Sequence, residues 1–359
     1  MKIALLSYST RPRGGVVHTL ALAEALAAAG EDVTVWTLGR GGDSGFFRPV
    51  DPAVRVHIVP FPDGPPDETV GARILRSIAT LREAFDAGPY DIVHAQDCIS
   101  ANAVGRCIRT VHHLDHFTTP ELAACHERAI VEPYAHICVS RSVADELADG
   151  WGLKPAVIPN GVAYERFAAT DRAARAAWRS RLGPYVLTVG GIEPRKGSLD
   201  LLEAYAVLRA EQPGVRLVIA GGETLFDYRD YRARWETRAV ELGVEPVVLG
   251  AVADDELPSL VAAADAFAFP SLKEGFGLAA MEALAAGVPL VVRDLPVLRE
   301  VFGPAARFAD SPGSLAAELG RALVSYDPVR ASAGRKLAAG HTWAEAAAHH
   351  LAFYRSVTP

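Results

Sequence analysis

Short apolar runs recur along the chain, and stretches of helical period separate them. Residues 3–7, 33–36, 54–59, 90–94, 107–111, 136–140 and 156–159 read as strands in the first half. Residues 186–189, 215–220, 247–249, 266–269 and 289–292 do so in the second. Most of these runs are continuously apolar, so both faces of each strand are covered, as in a parallel sheet. Between them the spacing predicts helices over 16–26, 74–85, 99–105, 121–131 and 142–150, then over 199–211, 228–243, 254–264 and 315–325. Gly30 closes the first of these as a C-cap, and Asp254 is the expected N-cap of 254–264. An alanine-rich run after Gly277 is a further helix, and 343–357 is the last. Glycine and proline mark 39–45 and 60–71 as loops.

Alternation of strand and helix from end to end is the pattern of a doubly wound α/β fold. It lapses once, between 159 and 184, after the turn signal Asn160-Gly161. Two consecutive Rossmann-like halves are therefore expected, 1–165 and 166–342. A length of 359 residues agrees, at about 150 residues per domain. In open α/β sheets, ligands bind outside the carboxyl ends of the strands. The informative loops are those that follow strands, and a ligand is expected in a cleft between two such halves.

Composition narrows the field. Half of the residues are hydrophobic, enough for a core in each half. A formal net charge of −7 lacks the dense positive footprint of a nucleic-acid binder. Cys98, Cys107, Cys125 and Cys138 show no C-x-x-C spacing, so reduced, half-buried thiols are expected rather than a metal site or disulfide framework. The opening apolar run is too short for a signal peptide, and no run approaches the roughly 18 apolar residues of a spanning helix. A soluble cytoplasmic protein is the expectation, with peripheral membrane contact left open.

Residues 270–282 read P-S-L-K-E-G-F-G-L-A-A-M-E and carry the densest chemistry. Glu274 falls on a glycine turn, and Glu282 on the helix that follows, about two turns in. Backbone N–H groups at a helix start form an anion site. An acid–base pair, as in glycoside hydrolysis, needs facing carboxyls. One glutamate on a turn and one down a helix suit hydrogen bonds to hydroxyls better. Glu282 stands among Met281, Ala283 and Leu284, where a carboxylate needs a partner.

Arg195-Lys196 lies on a glycine-rich loop after a strand. A guanidinium fork beside an ammonium suits a diphosphate leaving group; a solvated loop is the plain alternative. Gly14-Gly15 would let backbone approach a phosphate, or simply turn the chain. G-x-G-x-x-G is absent, and Gly39-Arg40 stand where a dinucleotide site places an acid, which speaks against a dehydrogenase. His112, His113, Asp115 and His116 cluster after a strand. Zinc is a poor reading, since neither H-E-x-x-H nor a helical ligand pair is present, and ligand contact is favoured. His94 and Asp97 are weaker candidates for acceptor contact, and His18 is expected to be a surface or packing residue of the first helix.

In this order and spacing the pieces resemble the retaining glycosyltransferases of family 4 (glycosyltransferase group 1). Their fold is GT-B, two Rossmann-like doubly wound domains facing across a cleft. The resemblance covers nearly the whole chain. G-G-V-V-H-T-L-A-L-A-E-A-L-A-A-A-G from Gly14 is similar to the family's first loop and helix. Thr110-Val111-His112 resembles the strand that ends in its active-site histidine. Ile158-Pro159-Asn160-Gly161-Val162 resembles the run closing the N-terminal, acceptor-side domain. Arg195-Lys196-Gly197 matches the diphosphate clamp, and E-G-F-G-L-A-A-M-E-A-L-A-A-G-V-P from Glu274 matches the E-x7-E signature.

The resemblance implies transfer of a hexosyl group from a nucleoside diphosphate sugar (UDP-, GDP- or ADP-) to an acceptor hydroxyl, with retention of anomeric configuration. Its catalytic set is His112, Arg195, Lys196 and Glu274. Arg195 and Lys196 would bind the diphosphate and stabilise its charge as it leaves. Glu274 would hold sugar hydroxyls, Glu282 the ribose, and His112 would contact the sugar. Gly14, Gly15, Gly191, Gly250, Val252, Gly275, Phe276, Gly277 and Leu278 would complete the donor side. His94, Asp97 and His113 are the acceptor-side candidates; His113 stands where many relatives carry Asp. Arg293 stands where relatives often have a small residue, which would alter the pocket. No metal or other cofactor is implied, because Arg and Lys supply the positive charge and no D-x-D pair ends a strand. The helix 343–359 resembles the terminal helix that returns to the first domain. The acceptor (a sugar, a lipid-linked or a small molecule) has no readable code, and a monomer or homodimer is expected. A nucleotide-sugar epimerase of the same fold and a non-catalytic nucleotide-sugar-binding protein stay open as alternatives.

Overall fold

The computed structural model describes residues 1–114, 117, 119–221 and 228–357. The chain forms two compact units: Met1–Gly161 together with the chain from Trp343 onward, and Val162–Thr342.

The first unit runs β1 (Lys2–Leu6), α1 (Gly14–Ala28), β2 (Asp32–Arg40), β3 (Arg55–Phe61), α2 (Val70–Ala84), β4 (Ile92–Ala95), α3 (Cys98–Val104), β5 (Ile108–Val111), α4 (Pro120–Val131), β6 (Ala135–Cys138), α5 (Arg141–Trp151) and β7 (Ala156–Val157). Its seven parallel strands lie in the order β3-β2-β1-β4-β5-β6-β7. Ile3 pairs with Val33 on one side and Ile92 on the other, and residues Ile3 to Leu6 are fully buried. That burial on both faces is why β1 reads as an unbroken apolar run.

The second unit runs α6 (Tyr164–Ala168), α7 (Arg172–Leu182), β8 (Tyr185–Val189), α8 (Ser198–Glu211), β9 (Arg216–Ala220), α9 (Arg229–Glu241), β10 (Val247–Gly250), α10 (Leu257–Ala262), β11 (Ala266–Phe269), α11 (Leu278–Ala285), β12 (Leu290–Arg293), α12 (Pro296–Phe302), β13 (Ala306–Ala309), α13 (Pro312–Val324) and α14 (Pro328–Ala339). Its six parallel strands are ordered β10-β9-β8-β11-β12-β13. The last helix, α15 (Trp343–Val357), belongs to the first unit, where Ala347, Leu351 and Tyr354 join the core around Ile3 and Leu5. In each sheet the strand order reverses once, between β1 and β4 and between β8 and β11. Loops after the two strands part at such a reversal and leave room for a ligand.

Several elements depart from the sequence reading. The stretch 159–184 holds α6 and α7, and residue 165 lies inside α6. Helix α7 is mostly Ala and Arg and buries only Trp178 and Leu182, so its apolar period is faint. Strand β13 and helices α12 and α14 are likewise unread; β13 is set by pairing with β12 rather than by propensity. Helix α2 begins at Val70 because the Thr69 side chain accepts from Ala72 N–H. Strand β2 continues through Gly39 and Arg40, which pair with Pro60 and Phe61. Helix α10 begins at Leu257 after Glu256, and Asp254 is not its cap but pairs with Arg166. All four cysteines are free, and burial pushes the Cys107 and Cys138 thiols up to about 12, which makes them inert. Among the described residues no helix is long and apolar enough to cross a membrane.

Candidate active site

At the reversal in the second sheet, β8 opens into Gly190 and Gly191, then a 3-10 turn, Pro194–Lys196. Gly197 follows in the left-handed region, at φ 65°, and starts α8. A Cβ there would strike the Pro270 carbonyl oxygen, so only glycine lets this loop meet the loop after β11. Leu272 N–H donates to the Arg195 carbonyl at 2.7 Å and fastens the two loops together. Side chains converge accordingly. Lys196 Nζ lies 2.5 Å and Arg195 Nη1 3.1 Å from Glu274 Oε1. Arg195 Nη2 donates to Glu193 Oε1 at 3.0 Å, and the Lys196 ammonium stands 5.1 Å from the centre of the Phe269 ring. Two cations are thus matched by two carboxylates, and Glu274 is only 10 % exposed. A small cavity opens here, lined by Gly190, Gly191, Lys196, Phe269, Pro270 and Ser271.

Arg293, at the end of β12, supports this arrangement from below two loops. Its Nε donates to the Pro270 carbonyl at 3.3 Å and its Nη1 to the Asp310 carbonyl at 3.0 Å. Nη2 is ion-paired with Asp200 in the first turn of α8. One buried guanidinium therefore links the loop of Glu274 to the helix that follows Lys196. It holds the pocket's walls.

Helix α11 starts at Gly277, φ 96°, with no side-chain cap. A Cβ on Gly277 would lie 3.2 Å from the Phe269 and Phe302 rings. Phe276 is buried, with its ring 5.9 Å from that of His341, so its side chain anchors the turn. Gly275 is buried beside it, and Leu278 is partly exposed. Glu282 sits in the second turn of α11, nearer the helix start than expected. Burial pushes its carboxyl up to about 7, with Arg166 opposing and Asp254 adding to the rise. Gly250 ends the edge strand β10 at φ 71°, and partly exposed Val252 follows it.

In the first unit, Gly14 and Gly15 open α1 at the reversal between β1 and β4. A Cβ on Gly15 would lie 3.8 Å from His112 Cδ2, so the first loop adjoins the end of β5. The His18 ring packs edge-on against His112 at 4.8 Å, and its Nδ1 is 2.9 Å from Asn160 Oδ1. His350 of α15 stacks in behind, 6.2 Å from His18 and 5.8 Å from His94. Burial pushes His112 down to about 3 and His350 to about 4, and holds His18 and His94 well below the usual range. All four rings are neutral near pH 7. The Nε2 atoms of His18, His112 and His350 are buried without a partner.

One acceptor-side expectation changes. His94 is fully buried, with Nδ1 2.7 Å from Tyr354 Oη and Nε2 2.7 Å from Thr110 Oγ1, so neither ring nitrogen is left for a ligand. Asp97 caps α3 through Oδ1, accepting from Ser100 N–H at 2.8 Å in a capping box, while its Oδ2 is buried without a partner. His113 is partly exposed beside His112. Asp115 and His116 lie outside the described residues. Gln96, just before Asp97, is 2 % exposed and neither of its amide atoms has a partner. The sequence signal for it was a large polar side chain directly after a buried strand. Among the described residues no group of three His, Cys, Asp or Glu is arranged to hold a metal ion.

Comparison with known proteins is consistent along the chain. The family model for Glycosyltransferase Family 4 matches residues 12–166, and that for Glycosyl transferases group 1 matches 174–325. The phosphatidyl-myo-inositol mannosyltransferase of Mycolicibacterium smegmatis is 30 % identical over 92 % of this chain and 86 % of its own. The D-inositol 3-phosphate glycosyltransferase of Xylanimonas cellulosilytica is 30 % identical over 99 % of this chain and 97 % of its own. Among solved structures, the sucrose-phosphate synthase of Thermosynechococcus elongatus superposes with a TM-score of 0.80 at 21 % identity, covering 99 % and 98 % of the two chains. Anabaena HepE in complex with UDP and glucose gives 0.73 at 20 %, covering 99 % and 100 %. Two family models in succession, together with relatives at this identity over nearly the full length, show that the chain belongs to glycosyltransferase family 4 and is a glycosyltransferase of GT-B fold.

Proposed function

We propose that the protein transfers a hexosyl group from a nucleoside diphosphate sugar to an acceptor hydroxyl with retention of anomeric configuration. One observation carries the reading: Arg195, Lys196 and Glu274 converge from two loops at the reversal of the second sheet. The diphosphate displaces Glu274 from the two cations, and the freed carboxylate takes hydroxyls of the sugar. Arg195 and Lys196 then offset charge on the departing phosphate. Glu282 accepts from the ribose, and the first N–H groups of α11 point toward anionic oxygens. On the first unit, Gly14, Gly15 and neutral His112 are the groups proposed to meet the donor. The leaving phosphate itself accepts the acceptor's proton, so attack on the face of departure needs no protein nucleophile. The two cations make a metal or other cofactor unnecessary in this scheme, and turnover unchanged by EDTA is expected.

Proton NMR on mixtures of UDP-, GDP- and ADP-hexoses with a panel of sugar and lipid acceptors tests the reading. UDP-sugars come first in that panel, since HepE was solved in complex with UDP-glucose. A released nucleoside diphosphate and a product with the donor's anomeric coupling are expected. The opposite anomer would exclude retention, and an epimerised donor without transfer would favour the epimerase. Lys196→Ala should lower kcat by about 100-fold or more; near-wild-type turnover would remove the clamp.

A further inference from the structure

At the carboxyl end of the first sheet, the charges of Arg13 and Arg73 act on Arg40 from separate elements. Arg13 is the N-cap residue of α1, Arg40 ends β2, and Arg73 lies in the first turn of α2. The Arg40 guanidinium stands 5.3 Å from the ring centre of Tyr8 and 5.4 Å from that of Phe61. Its Nε donates to the Tyr8 carbonyl at 3.3 Å and its Nη2 to Ser77 Oγ at 3.1 Å. Ser77 Oγ in turn donates to the Arg73 carbonyl at 2.7 Å. Arg13 lies 6.0 Å from the same Tyr8 ring. Burial first, then the charges of Arg73 and Arg13, push Arg40 down to about 10, while Tyr8 and Asp97 act in the opposite sense.

The nearby carboxylates are engaged elsewhere in whole or in part. Glu68 holds Arg76 at 2.7 Å and Asp43 lies 3.7 Å from Arg11, while Asp97 caps α3 through Oδ1 and keeps Oδ2 buried without a hydrogen-bond partner. Among the described residues neither Arg13 nor Arg40 has a carboxylate within ion-pair distance. Arg13 Nε is buried without a hydrogen-bond partner, as are both amide atoms of Gln96. Gln96 belongs to the same end of the sheet, since its N–H donates to the Leu6 carbonyl two residues before Tyr8. Like charges drawn out of water raise the free energy of the folded chain unless an anion joins them. The rings of Tyr8 and Phe61 hold the Arg40 fork in one orientation, which suits a fixed oxyanion.

We propose that Arg13, Arg40 and Arg73, with Gln96, form a phosphate-binding subsite for the acceptor, which is a phosphorylated polyol or sugar. A single carboxylate is satisfied by one fork, whereas cations arriving from three elements match the several oxygens of a phosphate. Gln96 supplies a donor and an acceptor for a neighbouring hydroxyl. The proposal rests on the glycosyl-transfer reading above, and the phosphate has two sources, a free sugar phosphate or a lipid headgroup.

Calorimetric titration of the full chain tests it with matched probes: glucose 6-phosphate against glucose, and inositol 3-phosphate against inositol. Sedimentation with phosphatidylcholine vesicles, with and without phosphatidylinositol, supplies the lipid arm. At least one phosphorylated probe, or the phosphatidylinositol vesicle, should bind about 10-fold or more tighter than its partner. Preference for the free probes places the source in solution, and preference for the vesicle alone places it in a lipid. Arg40→Met and Arg13→Met should each abolish the preference and leave UDP affinity unchanged, and Arg40→Lys should restore part of it. Arg13 lies outside the core, so its variant tests the subsite even where Arg40→Met fails to fold. Equal binding of every matched pair would overturn the proposal. So would loss of UDP affinity in step with the phosphate preference, which would assign the anion to the nucleotide. A wild-type chain that binds no nucleotide yet keeps the preference would instead sink the transfer reading alone.

Discussion

Both sheets reverse once, and at both reversals the strand ends carry charge, but they hold it in opposite ways. In the second unit, Arg195 and Lys196 are tied to Glu193 and Glu274, so cations and carboxylates balance within a few ångströms. In the first, neutral histidines and like-charged arginines share the strand ends. A balanced site is rigid before its ligand arrives, and the ligand must exchange for an internal partner. An unbalanced one is strained until an anion arrives, and draws affinity from relieving that strain. The first mode suits a diphosphate that must also leave, and the second a group that is held through the reaction.

Arg293 is the sharpest place to break the balance of the second unit. Arg293→Ala leaves Asp200 unpaired and the Pro270 and Asp310 carbonyls without their donor. We expect a loss of about 3 kcal/mol in denaturant unfolding, with a raised donor KM and a smaller change in kcat. Arg293→Lys should recover part of both. Unchanged stability and KM would show that the two loops hold their positions without it.

Glu282 probes the same unit more gently. Its folded pKa of about 7 lies above the unfolded value near 4.5. Its contribution to stability is therefore fully present below about pH 4.5 and is lost as the pH rises through 7. At pH 8, Glu282→Gln should be about 3 kcal/mol more stable than the parent, and at pH 4 the two should coincide. Nucleotide affinity should fall in the same variant. A thermal unfolding series across pH measures the first effect, and a variant without gain at pH 8 would mean that the carboxylate is compensated in the folded chain.

His350 tests the first unit, with the smallest expected effect. Its folded pKa, pushed down to about 4, lies below the unfolded value near 6.5. Stability is thus level above 6.5 and drains away as the pH falls toward 4. His350→Phe removes one such term and the hydrogen bond to the Ala346 carbonyl. It should cost about 1 kcal/mol at pH 7 and flatten the acid limb of the stability curve. An acid limb as steep as the parent's would show that the histidine cluster is not what acid attacks.

Legibility followed local pattern. Strand β11, the glycine turn and α11 were readable because apolar run, φ > 0 residues and alanine-rich helix follow one another within the chain. Arg195 and Lys196 were readable as chemistry, but their contact with Glu274 was not, because it joins loops about eighty residues apart in sequence. His94 misled, since a histidine at a strand end looks the same whether it faces a ligand or Tyr354 of a helix 260 residues on. How Arg293 bears on the pocket was not readable, because nothing in its neighbourhood names Pro270, Asp200 or Asp310 as its partners.

The sequence by itself determined two doubly wound halves, the loops that carry the chemistry and the family to which they belong. These rest on short-range physics: burial period, turn residues and helix starts. Only the tertiary structure decided which charges are paired and which are not. It fastened Lys196 to Glu274, turned His94 into a strut and, among the described residues, set Arg13 and Arg40 about the Tyr8 ring with no carboxylate at ion-pair distance. A side chain's charge is written in the sequence, but its compensation depends on neighbours that only folding brings near.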